Sequence, residues 1–272
     1  MMKPPAAEVA TIGVFGGSGF YQLLDEVEQH TIETPFGEPS GKLAVGRIGG
    51  VSVAFLPRHG VQHQYPPHSI NYRANVWAMA SLGVTRIIGP AASGSLTPAI
   101  EPGHFVLCDQ FVDRTYARAA TFYDGPHTVH IGTADPYCPE LRGLAAAVCR
   151  EQGIPTHERG TVVVIQGPRF STRSESRWFS GMGWEVINMT QYPEVALALE
   201  LELCYLNISL ITDYDVGLEG RDDVEPVTVE GVIKVFNENN ERVKQVIRDL
   251  IPQIPSARDC PCSTALQGAV VS

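Results

Sequence analysis

The chain has 272 residues, 44% of them hydrophobic and 18% charged, with a formal net charge of −10. That length and apolar content suit one large, well-buried α/β domain spanning 1–272, not a disordered chain. The acidic balance excludes a nucleic-acid or membrane surface as the principal partner. A locally basic pocket for a phosphate-bearing small molecule stays open.

No run approaches the ~20 apolar residues of a membrane span, and residues 1–10 lack the apolar stretch of a secretory signal, so a cytoplasmic location is expected. The six cysteines (Cys108, Cys138, Cys149, Cys204, Cys260 and Cys262) are scattered, most of them in apolar segments. They read as reduced core thiols. Cys260-Pro-Cys262 lacks a second Cys/His pair at zinc spacing, and the sequence predicts unconstrained tail thiols there.

In chain order, Val9 to Phe15 is a β-branched run that breaks into Gly16-Gly17-Ser18-Gly19. Such a break suits either a tight turn or a backbone cradle for an anion. Leu43 to Ile48 and Val51 to Leu56 flank Gly49-Gly50, the signal of a two-residue hairpin. The second strand runs into Pro57-Arg58-His59-Gly60, where an arginine fork could meet a phosphate or carboxylate. His59 and His63 lie four apart, but the glycine and Pro66-Pro67 argue against a helix presenting both to a metal.

The spacing of Tyr72, Val76, Met79 and Ala80 predicts a helix over 71–82, stopped by Gly83. A strand at Thr85 to Ile88 then leads into the small-residue segment Gly89 to Ser95, where a ligand could approach the backbone. His104 to Phe111 reads as a strand and Asp113 to Tyr137 as a long loop. Next come an amphipathic helix through Leu141 and Cys149, closed by Gly153, and an apolar strand from Gly160 to Ile165. That strand ends in Gln166 to Phe170 and Ser171.

A charged helix at Arg173 to Ser180 precedes a strand at Glu185 to Asn188, which leads into Met189-Thr190. Tyr192 to Cys204 reads as a helix with Glu200 and Glu202 on a solvated face. The strand from Asn207 ends in Thr212-Asp213-Tyr214-Asp215. Spacing i, i+2 puts both carboxylates on one face of an extended chain. A pair crowded at a buried strand end needs a ligand carrying protons or donors; a solvated turn is the plainer reading. Gly217 to Pro226 reads as a mobile loop, and Val229, Val232, Ile233 and Phe236 open a long amphipathic helix. Strands interleaved with helices indicate a mixed, twisted sheet covered on both faces, with ligands at strand ends.

Several segments in register resemble the methylthioadenosine phosphorylase branch of the trimeric purine nucleoside phosphorylases. They are Gly16 to Gly19, Thr34-Pro-Phe-Gly37, Arg58-His-Gly60, Asn71-Tyr72, Phe111 to Arg114, Phe122 to Gly125, Gly167 to Phe170, Asn188 to Thr190 and Thr212 to Asp215. The resemblance covers about residues 11 to 254 and leaves out a divergent tail, 255–272. It implies a nucleoside phosphorylase fold and phosphorolysis of 5′-methylthioadenosine to adenine and 5-methylthioribose 1-phosphate. Inorganic phosphate is the co-substrate, and no metal or organic cofactor is implied. By similarity Ser18, Arg58, His59, the backbone at Ala92, and Thr190 hold phosphate. Met189 lies against the ribose; Phe170 and Ser171 border the base, with Asp213 and Asp215 on its N7 and N6 edge; Asn188 and Thr212 also bind substrate. Val229, Val232 and Ile233 would hold the methylthio group, and His130 would reach in from a neighbouring subunit of a homotrimer.

The resemblance assigns N7 protonation to Asp213 and acceptance from the exocyclic amine to Asp215. Branches that prefer 6-oxopurines carry asparagine at the Asp213 position, because an amide donates to O6. The alternative of the same fold is therefore a 6-oxopurine phosphorylase acting on methylthioinosine, inosine or guanosine. A hydrolytic nucleosidase and a nucleoside-binding protein are the readings of other classes. One departure stands out: Pro90-Ala91 replaces the threonine pair usual in the family, and Ser93 is the nearest hydroxyl.

Overall fold

The computed structural model describes residues 3–16, 23–216 and 226–271. In chain order, β1 (Ile12–Gly16), β2 (Asp25–His30), β3 (Leu43–Ile48) and β4 (Val51–Pro57) precede α1 (Tyr72–Ser81). There follow β5 (Arg86–Ser95), β6 (Phe105–Val106), β7 (Gln110–Arg114), β8 (Thr128–Val129), α2 (Pro139–Glu151), β9 (Thr156–His157) and β10 (Thr161–Ile165). The chain closes with α3 (Arg173–Gly181), β11 (Val186–Asn188), α4 (Gln191–Glu200), β12 (Cys204–Asp213), α5 (Val229–Leu250) and β13 (Val270–Val271).

Eleven of the described strands form one mixed sheet, with β8 and β13 pairing separately. The expected α/β architecture holds. Helices cover both faces, and two large apolar clusters bury Val76 and Met79 of α1 on one side and Leu141 of α2 with Val246 and Ile247 of α5 on the other. Gly49-Gly50 turns β3 into β4 with Ile48 opposite Val51, both glycines at positive φ. Asn71 caps α1 by accepting from the Ala74 amide. Among the described residues no helix is long and apolar enough to cross a membrane.

Four expectations change. The segment Gly89 to Ser95 does not follow the strand but continues it, as the second half of β5. The strand expected over 104–111 is broken into β6 and the start of β7. Glu200 is not solvated: it is buried and accepts from the Thr121 hydroxyl and the Phe122 amide, which satisfy it in place of water. Cys260 and Cys262 are not loose tail thiols, for both are buried beside Cys138 and Cys204. The edge strand β2, mostly exposed and rich in charge, escaped the hydrophobic pattern. The loop expected at 217–226 lies, but for Pro226, outside the described residues.

Candidate active site

The site exists because β5 changes neighbours along its length. Strand β12 holds one edge of β5 from Arg86 to Gly94. On the other edge β1 pairs only with Arg86 to Ile88, and β11 pairs antiparallel only with Gly94 and Ser95. Between them that edge is open, and a cleft of about 730 Å³ fills the gap. Pro90 is tolerated mid-strand for the same reason. Its carbonyl points into the gap, where it accepts from Arg58, so its nitrogen faces the same unpaired side and forfeits no ladder bond.

At one end of the cleft Arg58 leaves β4 with 5% exposure. Its fork is already occupied. Nε and one terminal nitrogen donate to Glu194 at 2.7 and 2.8 Å, and the other terminal nitrogen donates to the Pro90 carbonyl at 3.0 Å. Glu194, fully buried on α4, also accepts from the Tyr205 hydroxyl. Gly89 makes this packing possible, since a Cβ there would collide with the Tyr205 oxygen. Two N–H groups of Arg58 therefore remain for a ligand, and its charge is balanced inside the protein. It is the only arginine or lysine lining the cleft among the described residues.

His59 stands beside it, stacked on His63 with ring centroids 4.3 Å apart. Burial pushes its imidazole down to about 4, with the Arg58 and His63 charges adding and the Tyr65 carbonyl opposing. The ring is therefore neutral at pH 7. Its Nδ1 donates to the Tyr65 carbonyl at 2.9 Å, which leaves Nε2 as an acceptor. Ser93 does not replace the missing threonines as a donor. Asn207 Nδ2 donates to the Gly89 carbonyl, so its Oδ1 must accept from Ser209, and Ser209 in turn accepts from Ser93. The Ser93 proton is spent inside this chain of hydrogen bonds.

At the other end β12 delivers the two carboxylates. Asp213 accepts from the Thr212 hydroxyl on one oxygen and from the Asp215 amide on the other, both at 2.7 Å. Gly94 leaves room for it, a Cβ there meeting Asp213 Oδ1 at 2.9 Å. Burial raises the Asp213 carboxyl, and these two donors pull it back. Asp215, at positive φ, is more exposed to change. Burial pushes it up to about 6; the nearby Ser176 and Ser171 hydroxyls oppose this and the Asp213 charge adds to it. Asp215 Oδ2 and Ser171 Oγ are both buried without a hydrogen-bond partner among the described residues.

Between these ends lie Ala92, Asn188, Met189 and Thr190, with Phe170 along one wall. Asn188 accepts weakly from the Thr190 and Gln191 amides, and its Nδ2 is a buried donor without a partner among the described residues. The first turns of α5 contribute Val229, Val232, Ile233, Phe236 and Asn237. Thus Arg58, His59, Ala92, Phe170, Asn188, Met189, Thr190, Thr212, Asp213, Asp215, Val229, Val232 and Ile233 share one cleft. Ser18 lies outside the described residues. His130 is not in this chain's cleft; its amide donates to the Ala269 carbonyl near the C-terminus.

Sequence reasoning missed Glu194, Tyr205 and His63. A lone glutamate amid Val195, Ala196 and Leu197 was the available signal for Glu194, since a buried acid needs a cation.

A family model for the phosphorylase superfamily matches residues 11–252, and the chain belongs to that superfamily. The S-methyl-5′-thioadenosine phosphorylase of Thermofilum pendens is 49% identical over 266 residues, 97% of this chain and 100% of that protein. A purine nucleoside phosphorylase of Streptomyces coelicolor is 48% identical, with 95% of each chain covered. Among solved structures, the Schistosoma mansoni methylthioadenosine phosphorylase in complex with adenine has a TM-score of 0.89 at 34% identity, covering 96% of this chain and 98% of that one. A methylthioadenosine phosphorylase from an antarctic soil metagenomic library has a TM-score of 0.90 at 36% identity, covering 97% and 93%.

Proposed function

We propose that this chain cleaves 5′-methylthioadenosine with phosphate, giving adenine and 5-methylthioribose 1-phosphate. The observation that carries the reading is the Asp213–Asp215 pair, the first half-buried and the second buried, lining one cleft with Arg58 and Thr190. A phosphate oxygen attacks the anomeric carbon, the glycosidic bond breaks, and its electrons pass to the purine, which takes a proton at N7. Phosphate is held by the two spare N–H groups of Arg58, by Thr190, by the backbone at Ala92 and by Ser18. Neutral His59 accepts from the hydroxyl of hydrogenphosphate. Fixed donors of this kind position the nucleophile against the oxocarbenium charge that develops on the sugar.

Asp213 and Asp215 act on the base as a proton-holding pair. When the pair takes up a proton, Asp215 is the member that holds it: its Oδ2 has no partner among the described residues, whereas both Asp213 oxygens already accept hydrogen bonds. Delivery to N7 through Asp213 therefore includes a transfer within the pair. Asn188 and Met189 face the ribose; Phe170, Ser171 and Thr212 border the base; Val229, Val232 and Ile233 receive the methylthio group. Val229 and Ile233 are 62% and 52% exposed, which suits a site closed by a neighbouring subunit. A homotrimer in the cytoplasm, with His130 crossing to the neighbour's cleft, is the arrangement we propose.

A 6-oxopurine phosphorylase is the second reading, favoured by the name of the Streptomyces coelicolor relative. The carboxylate pair disfavours it: its proton is needed at N7, and Asp213 stands where an amide would donate to O6. The test is methylthioadenosine incubated with and without phosphate, free base being followed by chromatography, with methylthioinosine in parallel. Adenine release that requires phosphate is expected. Release without phosphate would overturn phosphorolysis, and faster turnover of methylthioinosine would overturn the base assignment.

A further inference from the structure

The nucleoside cleft leaves four of the six cysteines unexplained. Cys138 is the N-cap of α2, Cys204 opens β12, and Cys260 and Cys262 flank Pro261 in the C-terminal segment. All four are buried, and their sulfur atoms lie within 4.8 Å of one another, with Cys204 and Cys260 at 3.3 Å. Four thiolates around one zinc at ~2.3 Å from each sulfur form a tetrahedron with edges of roughly 3.8 Å. The cluster needs only sub-ångström adjustments to reach that shape.

Charge supplies a second, independent observation. Arg86 is the β5 residue paired with Cys204 in the parallel β5–β12 ladder, so the two side chains leave the sheet on the same face. Arg86 is 3% exposed and has no acidic partner among the described residues. Its guanidinium donates to the Ala257 carbonyl, three residues before Cys260, and its Nε has no hydrogen-bond partner among the described residues. A buried cation without a counter-charge is costly. Neutral thiols or disulfides leave it so, whereas a metal held by four thiolates carries two negative charges beside it.

We propose that Cys138, Cys204, Cys260 and Cys262 bind one structural zinc ion as a closed tetrathiolate site. Binding displaces the four thiol protons to solvent and changes no oxidation state. The ion fastens the C-terminal segment to the start of β12 and to the N-terminus of α2. That segment then runs on to β13, whose Val270 and Val271 pair with Val129 and Thr128, beside His130. The site therefore also braces the loop proposed to reach the neighbouring cleft.

The test is metal analysis by inductively coupled plasma mass spectrometry on the full chain, expressed with zinc and purified in reductant without chelator. About one zinc per chain is expected. The Cys260→Ser/Cys262→Ser variant should fall below about one-tenth of that, while Cys149→Ser, outside the cluster, should keep it. Cobalt substituted for zinc should give the visible absorption of a tetrahedral thiolate complex. Should the double variant fail to fold, the wild-type measurements still decide. Reduced protein that neither carries zinc nor takes it up on addition overturns the proposal. So does a thiol count in denaturant without reductant that finds two free thiols, because two disulfides would then hold the cluster.

Discussion

The two ends of the cleft handle buried charge in opposite ways. At the phosphate end Arg58, Glu194 and Tyr205 form a closed set whose charges cancel, and His59 is held neutral. At the base end Asp213 and Asp215 have no cationic partner among the described residues, and burial raises both carboxyls. The first arrangement fixes geometry and does not titrate near neutrality. The second does titrate there, which is what a leaving purine needs. Rigid donors for the nucleophile and a movable proton for the leaving group thus come from the same sheet by different local chemistry.

The comparison breaks most sharply at Asp213. Asp213→Asn replaces an acceptor with a side chain that can donate to O6. The ratio of kcat/KM for methylthioadenosine over methylthioinosine should fall on the order of 10⁴-fold. Steady-state kinetics on both substrates reads this directly, and a surviving adenine preference would show that base choice resides elsewhere. At the other end Glu194→Ala strands Arg58 as an unpaired buried cation. A loss of about 3–5 kcal/mol is expected in urea denaturation. A loss under about 1 kcal/mol would mean that Arg58 is not balanced by Glu194.

These ends were not equally legible. The base end is local: two aspartates two residues apart on one strand, visible as a motif. The phosphate end joins Arg58 to Glu194, 136 positions away; a lone acid among apolar residues hints at burial, but nothing local names the cation it pairs with. The expected strand ends at Ile88, where the β-branched pattern gives way to small residues and a proline, whereas β5 runs on to Ser95. Only the sheet shows that the proline faces an edge without a partner. The cysteines failed in the same way, since Cys138 and Cys204 meet the Cys260–Cys262 pair through tertiary packing and not through spacing.

The titrating character of the base end can be isolated with Asp215→Asn. The folded carboxyl lies at about 6 and the unfolded one near 3.9. Between those values the folded state keeps a proton that the unfolded state has lost. Stability of the parent chain therefore falls as pH rises through about 4 to 6, by up to about 3 kcal/mol. Asparagine cannot ionise, so the variant should gain in Tm relative to the parent between pH 5 and pH 8 in scanning calorimetry. A Tm difference independent of pH would remove Asp215 as the proton store.

The smallest effect belongs to Tyr205, which holds the closed end together through one hydrogen bond. Tyr205→Phe keeps the ring and its packing but removes the donor to Glu194. The carboxylate retains both Arg58 bonds, so it is not left unsatisfied, and about 1 kcal/mol of stability should be lost. If phosphate binding depends on how Arg58 is aimed, the KM for phosphate should rise while base selectivity stays unchanged. A change in selectivity instead would mean that the two ends are coupled through the β5–β12 pair, and that the charge-balanced end is not independent of the titrating one.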